Sequence, residues 1–120
     1  SSRWSTPYNN LGFALFNLQK PKLALEAWQT GKTNAKKPWL GLHCGIALGA
    51  WATVHKELAF QEYRLAIAAN SKFADPDHVG NLSNWSPREC EGLREIALAL
   101  LVQKTTSGLP PTNLDAVREP

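Results

Sequence analysis

Three histidines (His43, His55 and His78) and two cysteines (Cys44 and Cys90) are the side chains best suited to chemistry in this chain. A catalytic nucleophile needs a base within hydrogen-bond reach and a third group to orient that base. His43 and Cys44 are adjacent in sequence, and adjacent side chains on a helix diverge, so they do not form such a pair. Zinc sites gather cysteines and histidines at short, regular spacings, and neither cysteine has a second ligand at such a spacing. No phosphate-binding glycine loop, dinucleotide fingerprint, calcium loop or metal-binding histidine pair occurs. These residues point away from catalysis and call for no cofactor and no metal. Asn81-Leu82-Ser83 and Asn84-Trp85-Ser86 match the glycosylation acceptor pattern, and read as chance matches because nothing else indicates secretion.

Charge is the next chemistry to weigh. The formal net charge is +3, far from the density of a protein built mainly to neutralise phosphates. Residues 1–40 carry six basic side chains against one acid, whereas residues 41–120 carry seven against nine. The basic cluster Lys20, Lys22, Lys32, Lys36 and Lys37 is therefore local and reads first as a solvated face, which ranks nucleic-acid binding last. Both cysteines lie within apolar helical patterns and read as free buried thiols, favouring a reducing, cytoplasmic compartment. No segment reaches the ~20 apolar residues of a membrane span. The absence of any methionine leads us to expect that Ser1 is not the natural start and that the chain belongs to a longer protein.

What positions these residues is helix. Ser5-Thr6-Pro7 offers a hydroxyl cap and a first-turn proline, followed by Leu11, Leu15 and Leu18 at helical spacing, which predicts a helix over about 6–18. Pro21 opens a second helix over 21–32, carried by Leu23, Ala24, Ala27 and Trp28, with Gly31 near its end. A third runs from Trp39 to Val54, where Gly41, Gly45 and Gly49 form a smooth stripe, and a fourth from His55 to about Asn70. Asp75-Pro76-Asp77 reads as a turn, with a short helix around Val79 and Leu82. Ser86-Pro87-Arg88-Glu89 is a capping box with a first-turn proline, and the stripe Cys90, Leu93, Ile96, Ala97, Leu100 and Leu101 gives its helix one packed face and one wet face. Beyond Thr105 the Ser-Gly-Leu-Pro-Pro run reads as a linker or mobile tail over 106–120. Its Leu109, Leu114 and Val117 give it something apolar to fold back with.

Two of these segments repeat. Tyr8, Leu11, Gly12, Leu15, Ala24 and Trp28 recur thirty-five residues later as His43, Ile46, Ala47, Ala50, Ala59 and Tyr63. The spacing resembles that of the tetratricopeptide family, whose repeat is ~34 residues long. The match covers about 6–70, with a looser third unit to residue 104. The resemblance implies an all-α fold of antiparallel helix pairs stacked as a short right-handed solenoid. In that reading one domain spans 1–105, with repeats at about 6–37 and 40–73 and a divergent capping unit at 74–105. Small residues let paired helices approach, Gly12 against Ala24 and Ala47 against Ala59. Trp28 and Tyr63 fill the space between pairs.

The resemblance further implies that the first helix of each pair lines a concave face. By register that face holds Thr6, Asn9, Phe13, Phe16 and Asn17 in the first repeat, and Gly41, Cys44, Leu48, Trp51 and Ala52 in the second. Relatives that hold a terminal carboxylate use lysines and asparagines there, and only Asn9 is of that type. The expected partner is therefore an apolar or amphipathic peptide or helix of another protein, bound through Asn9, Phe13, Phe16, Asn17, Cys44, Leu48 and Trp51 by a scaffolding or adaptor module. Self-assembly into a homo-oligomer is the second reading. The rings on this face have a competing use, packing against a further helix.

Overall fold

The computed structural model of the chain describes residues 2–36 and 40–107, with side chains from Pro7 to Lys36 and from Leu40 to Lys104. Its regular structure is helical throughout: α1 Ser2–Asn17, α2 Pro21–Asn34, α3 Leu40–Ala52, α4 Lys56–Ala69, a 3₁₀ turn Ser71–Ala74, α5 Pro76–Ser83 and α6 Pro87–Ser107. Thr6 (as a side chain), Lys37-Pro38-Trp39 and the tail with Leu109, Leu114 and Val117 lie outside what is described.

Proline sets three of the helix starts. Pro21, Pro76 and Pro87 each occupy the first helical position, where the fixed φ suits the helix and the missing N–H has no partner to lose. Asp75 caps α5, its carboxylate accepting from the Asp77 N–H at 3.0 Å, so Asp75-Pro76-Asp77 begins a helix instead of forming an isolated turn. Half of the expected capping box at α6 is formed: Glu89 Oε1 accepts the Ser86 N–H at 3.3 Å and the Ser86 hydroxyl at 2.5 Å, while the Glu89 N–H goes to the Ser86 carbonyl instead of its Oγ. The start of α1 differs from the expectation. The helix begins at Ser2 and takes Pro7 inside it, near enough to the N-terminus that one lost hydrogen bond does not break it. Helix α2 likewise runs past Gly31 to Asn34, and α6 carries on to Ser107.

The turns joining the helix pairs repeat in geometry as well as spacing. Gln19 ends the α1 region with φ 61°, and Val54, thirty-five residues later, has φ 64°. In both, the next N–H reaches back five residues: Lys20 to the Leu15 carbonyl at 2.9 Å, and His55 to the Ala50 carbonyl at 2.8 Å. This is the left-handed C-cap that satisfies the last carbonyls of a helix. Asn84 closes α5 in the same way, with φ 55° and the Trp85 N–H on the Gly80 carbonyl at 2.9 Å. Three helix pairs, α1–α2, α3–α4 and α5–α6, therefore share one kind of turn, the third having a first helix of only eight residues.

Trp28 is the centre of the core. Fully buried, it meets the edge of Phe13 at 5.2 Å and tilts against Phe16 at 5.9 Å. A Cβ on Gly12 or on Gly45 would strike its ring, so α1 and α3 hold the indole between two glycines. The ring fills the gap that the two small residues provide. Gly49 does the same service for the Leu25 backbone. Tyr63, the counterpart of Trp28, is also fully buried and donates its hydroxyl to the Phe73 carbonyl at 2.8 Å, tying the 3₁₀ turn to α4.

Helix α2 packs on both α1 and α3, which links the first two pairs. The third pair does not continue that stacking. Helix α6 packs on α3 and on its pair partner α5, and lightly on α4, with Trp85, just ahead of it, against Phe13 of α1 at 5.6 Å. Along its length it meets α1 near Ser86, α3 near Gly92 and Glu95, and α4 at Gln103.

Candidate functional site

The expected concave face is mostly covered by the chain itself. Phe16, Cys44 and Leu48 are buried, and Phe13 is half-buried between Trp28 and Trp85. Gly92 of α6 sits directly on Leu48, where a Cβ would come within 2.8 Å of Leu48 Cδ2. Asn9 is half-buried, and its Oδ1 is shielded from water without a donor. Gly41 is buried as well. In the described structure these positions pack against the chain's own residues. Part of that cover comes from the third pair, with Trp85 against Phe13 and Gly92 of α6 on Leu48.

Two of the seven positions stay open. Asn17 is exposed, its Oδ1 3.3 Å from Ser86 Oγ. Trp51 is half-buried, tilted on Phe60 at 5.9 Å with Lys56 Nζ 5.8 Å from its ring, and its indole N–H points at Glu95 from 3.5 Å. Between Phe16, Leu48, Trp51 and the first half of α6 a recess of about 420 Å³ survives, rimmed by Arg88, Glu91 and Glu95.

A larger opening lies on the other side of α6. Tyr63, Arg64 and Ile67 of α4, Ala74 of the 3₁₀ turn, and Ala97, Leu100, Leu101, Gln103 and Lys104 of α6 line a groove of about 700 Å³. Its floor is apolar and its rim carries two cations. Beside it the end of α6 exposes Leu98, Leu101 and Val102, each more than 60% accessible. The α6 stripe thus behaves as expected only as far as Leu100. At Leu101 the helix has run beyond the surface that would bury it.

No family model matches the chain, and no curated protein or solved structure matches it. The site therefore rests on its own chemistry.

The titratable groups give that chemistry a structural cast. Burial pushes the Cys44 thiol up to about 12, so it stays protonated and unreactive near neutral pH. Burial also raises the Cys90 thiol, with Asp77 and Glu89 adding to the shift and Arg94 opposing it. The Tyr63 hydroxyl is raised chiefly by burial, with the Asp75 carboxylate adding to the shift. Among the described residues no three His, Cys, Asp or Glu side chains gather as a metal site would need.

One polar cluster had no counterpart in the sequence reading. Glu62 of α4 is 3% exposed and bridges two helices, accepting from Lys32 of α2 at 2.5 Å and lying 2.8 Å from His43 Nδ1 of α3. Burial alone would raise its carboxyl, but hydrogen bonds from His43 and Lys32, with their charge, hold it below its ordinary range. The cluster ties the second helix pair to the first. Its signal was His43 standing where the first repeat has Tyr8, a polar residue at an otherwise aromatic position.

Proposed function

We propose that this chain is a protein-interaction module of tetratricopeptide type, in which two helix pairs form a short solenoid and a divergent third pair closes its concave side. In support, the left-handed turns at Gln19 and Val54 recur with the same thirty-five-residue period as the sequence signature. The module captures an apolar or amphipathic segment of another protein and so acts as a scaffold or adaptor. It works without catalysis, in a reducing compartment such as the cytoplasm, where Cys44 and Cys90 stay free.

The observation that carries this reading is the open apolar groove between α4 and α6, continued by the exposed end of α6. Contiguous apolar surface rimmed by polar groups is costly to leave wet and marks interaction sites. Binding is accordingly assigned to this groove and not to the concave residues Phe13, Phe16, Cys44 and Leu48. The test compares partner recovery by wild type, Leu101→Asp and Phe13→Ala baits, with helical content checked for each. Loss for Leu101→Asp with recovery retained for Phe13→Ala fits the reading, and the reverse sinks it.

Self-assembly is the second reading, favoured by the same exposed Leu98, Leu101 and Val102. It predicts a size in solution that rises with protein concentration.

A further inference from the structure

We propose that the groove between α4 and α6 seats an amphipathic helix of a partner protein whose apolar stripe is flanked by acidic residues. This rests on the interaction-module reading and adds the shape and charge of the ligand.

The helical shape follows from backbone accounting. Both long walls of the groove are helices, whose N–H and C=O groups are bonded within themselves. An extended peptide laid there would find no main-chain partners for its own groups, which is costly where water is excluded. A helix satisfies its backbone internally and loses nothing on docking. The walls suit it as well. Ala97, Leu100, Leu101 and Lys104 are spaced i, i+3, i+4 and i+7 along α6, and Tyr63 and Ile67 are spaced i, i+4 along α4. They form a ridge about two turns long on α6 and one of about a single turn on α4, against which a third helix can pack.

The charge follows from what the walls carry. Arg64 donates to Gln103 Oε1 at 2.6 Å and lies 5.8 Å from the Phe60 ring centroid, yet among the described residues no carboxylate pairs with it. Lys104 has none either, whereas Lys32 and Arg94 elsewhere each have an acidic partner. The acids of α6, Glu89, Glu91 and Glu95, all fall in its first half, before the groove begins. On α4, Glu62 is turned away to Lys32 and His43, and Glu57 lies in the first turn, ahead of the groove, whose α4 lining begins at Tyr63. Asp75, next to the lining residue Ala74, is engaged in capping α5. The groove thus offers an apolar floor and a rim of positive charge, and electrostatic complementarity selects an acidic occupant.

Two labelled helical peptides of about 16 residues, long enough to hold helix, test this. They share one leucine stripe and differ only in having glutamates or lysines beside it. Binding to the full chain is followed by fluorescence anisotropy across a salt series. The glutamate peptide is expected to bind about tenfold more tightly at low salt, the difference of a few surface charge contacts, and the gap to narrow as salt rises. Arg64→Glu combined with Lys104→Glu reverses the preference, and Leu101→Asp weakens both peptides, with circular dichroism confirming the fold of each variant. Equal affinity for the two peptides overturns the acidic assignment and leaves the groove standing. Binding of neither peptide overturns the groove reading itself. A protein that grows in size with concentration, and whose growth Leu101→Asp abolishes, overturns the partner helix in favour of a second copy.

Discussion

The two halves of α6 differ in pattern and in surroundings: the first mixes apolar with charged residues, whereas residues 97–102 are all apolar. From Cys90 to Ile96 the helix lies on α3, with Leu93 and Ile96 fully buried, whereas from Ala97 to Lys104 it exposes Leu98, Leu101 and Val102. Intrinsic helix preference does not separate the halves, since leucine and alanine dominate the second. The surface opposite differs as well: α3 offers the small and apolar face that includes Leu48, and beyond it α4 meets α6 only lightly. An amphipathic stripe therefore specifies that a face will be covered, while the cover is supplied by the rest of the fold or, at the far end of α6, by another molecule.

Truncation is the strongest way to break this comparison. Leu93→Ala should cost about 3 kcal/mol in urea unfolding, the cost of a buried leucine. A loss under about 1 kcal/mol would mean that α6 is not seated on α3. Next in size is Glu62→Gln, which keeps an acceptor for Lys32 and His43 but removes the charge. About 1–2 kcal/mol should be lost at pH 7, less than for a sealed pair because Lys32 is partly exposed and can turn to water. The sign with pH follows from the lowered carboxyl. Its contribution is complete above the ordinary 4.5 and disappears as pH falls through the lower folded value, so wild type and Glu62→Gln should converge in acid. Stability curves that stay parallel down to strong acid would remove Glu62 from the account.

Two smaller effects sharpen the contrast on the exposed side. Val54 is a β-branched residue at φ 64° and 76% exposed, so it bears left-handed strain with little packing in return. Val54→Gly should raise stability by about 1 kcal/mol, or roughly 4 °C in melting temperature, measured by calorimetry. Destabilisation would show that the turn is held by something other than its backbone. Leu101→Ala should change stability by less than about 0.5 kcal/mol, against the much larger loss at Leu93. Equal losses at the two positions would erase the difference between the halves of α6.

The helices and their order were legible because local chemistry encodes them. Pro21 and Pro87 open helices, Glu89 reaches back to the Ser86 N–H, and the thirty-five-residue recurrence marks the first two pairs. The left-handed turns were hidden, since Gln19 and Val54 are not the glycines that usually announce such backbone. The swing of the third pair onto α1 and α3 was hidden for a different reason. Periodicity identifies a sticky face on α6 and sticky rings at Phe13 and Phe16, but not that they belong together across some seventy residues. Hence the concave residues were read as a partner's seat. Glu62 was missed because a lone glutamate on a helix reads as solvated, and only the packing of three helices brings Lys32 and His43 to it.

The central proposal is that α6 covers the face where a ligand was expected and opens the groove beside α4. Amide chemical shifts of the labelled chain, recorded while the glutamate-flanked helix is added, test it most directly. The account predicts changes centred on Tyr63, Arg64, Ile67, Ala97 and Leu101. Changes centred instead on Phe13, Leu48 and Trp51 would contradict it, by showing that α6 lifts away and that the concave face is the true seat.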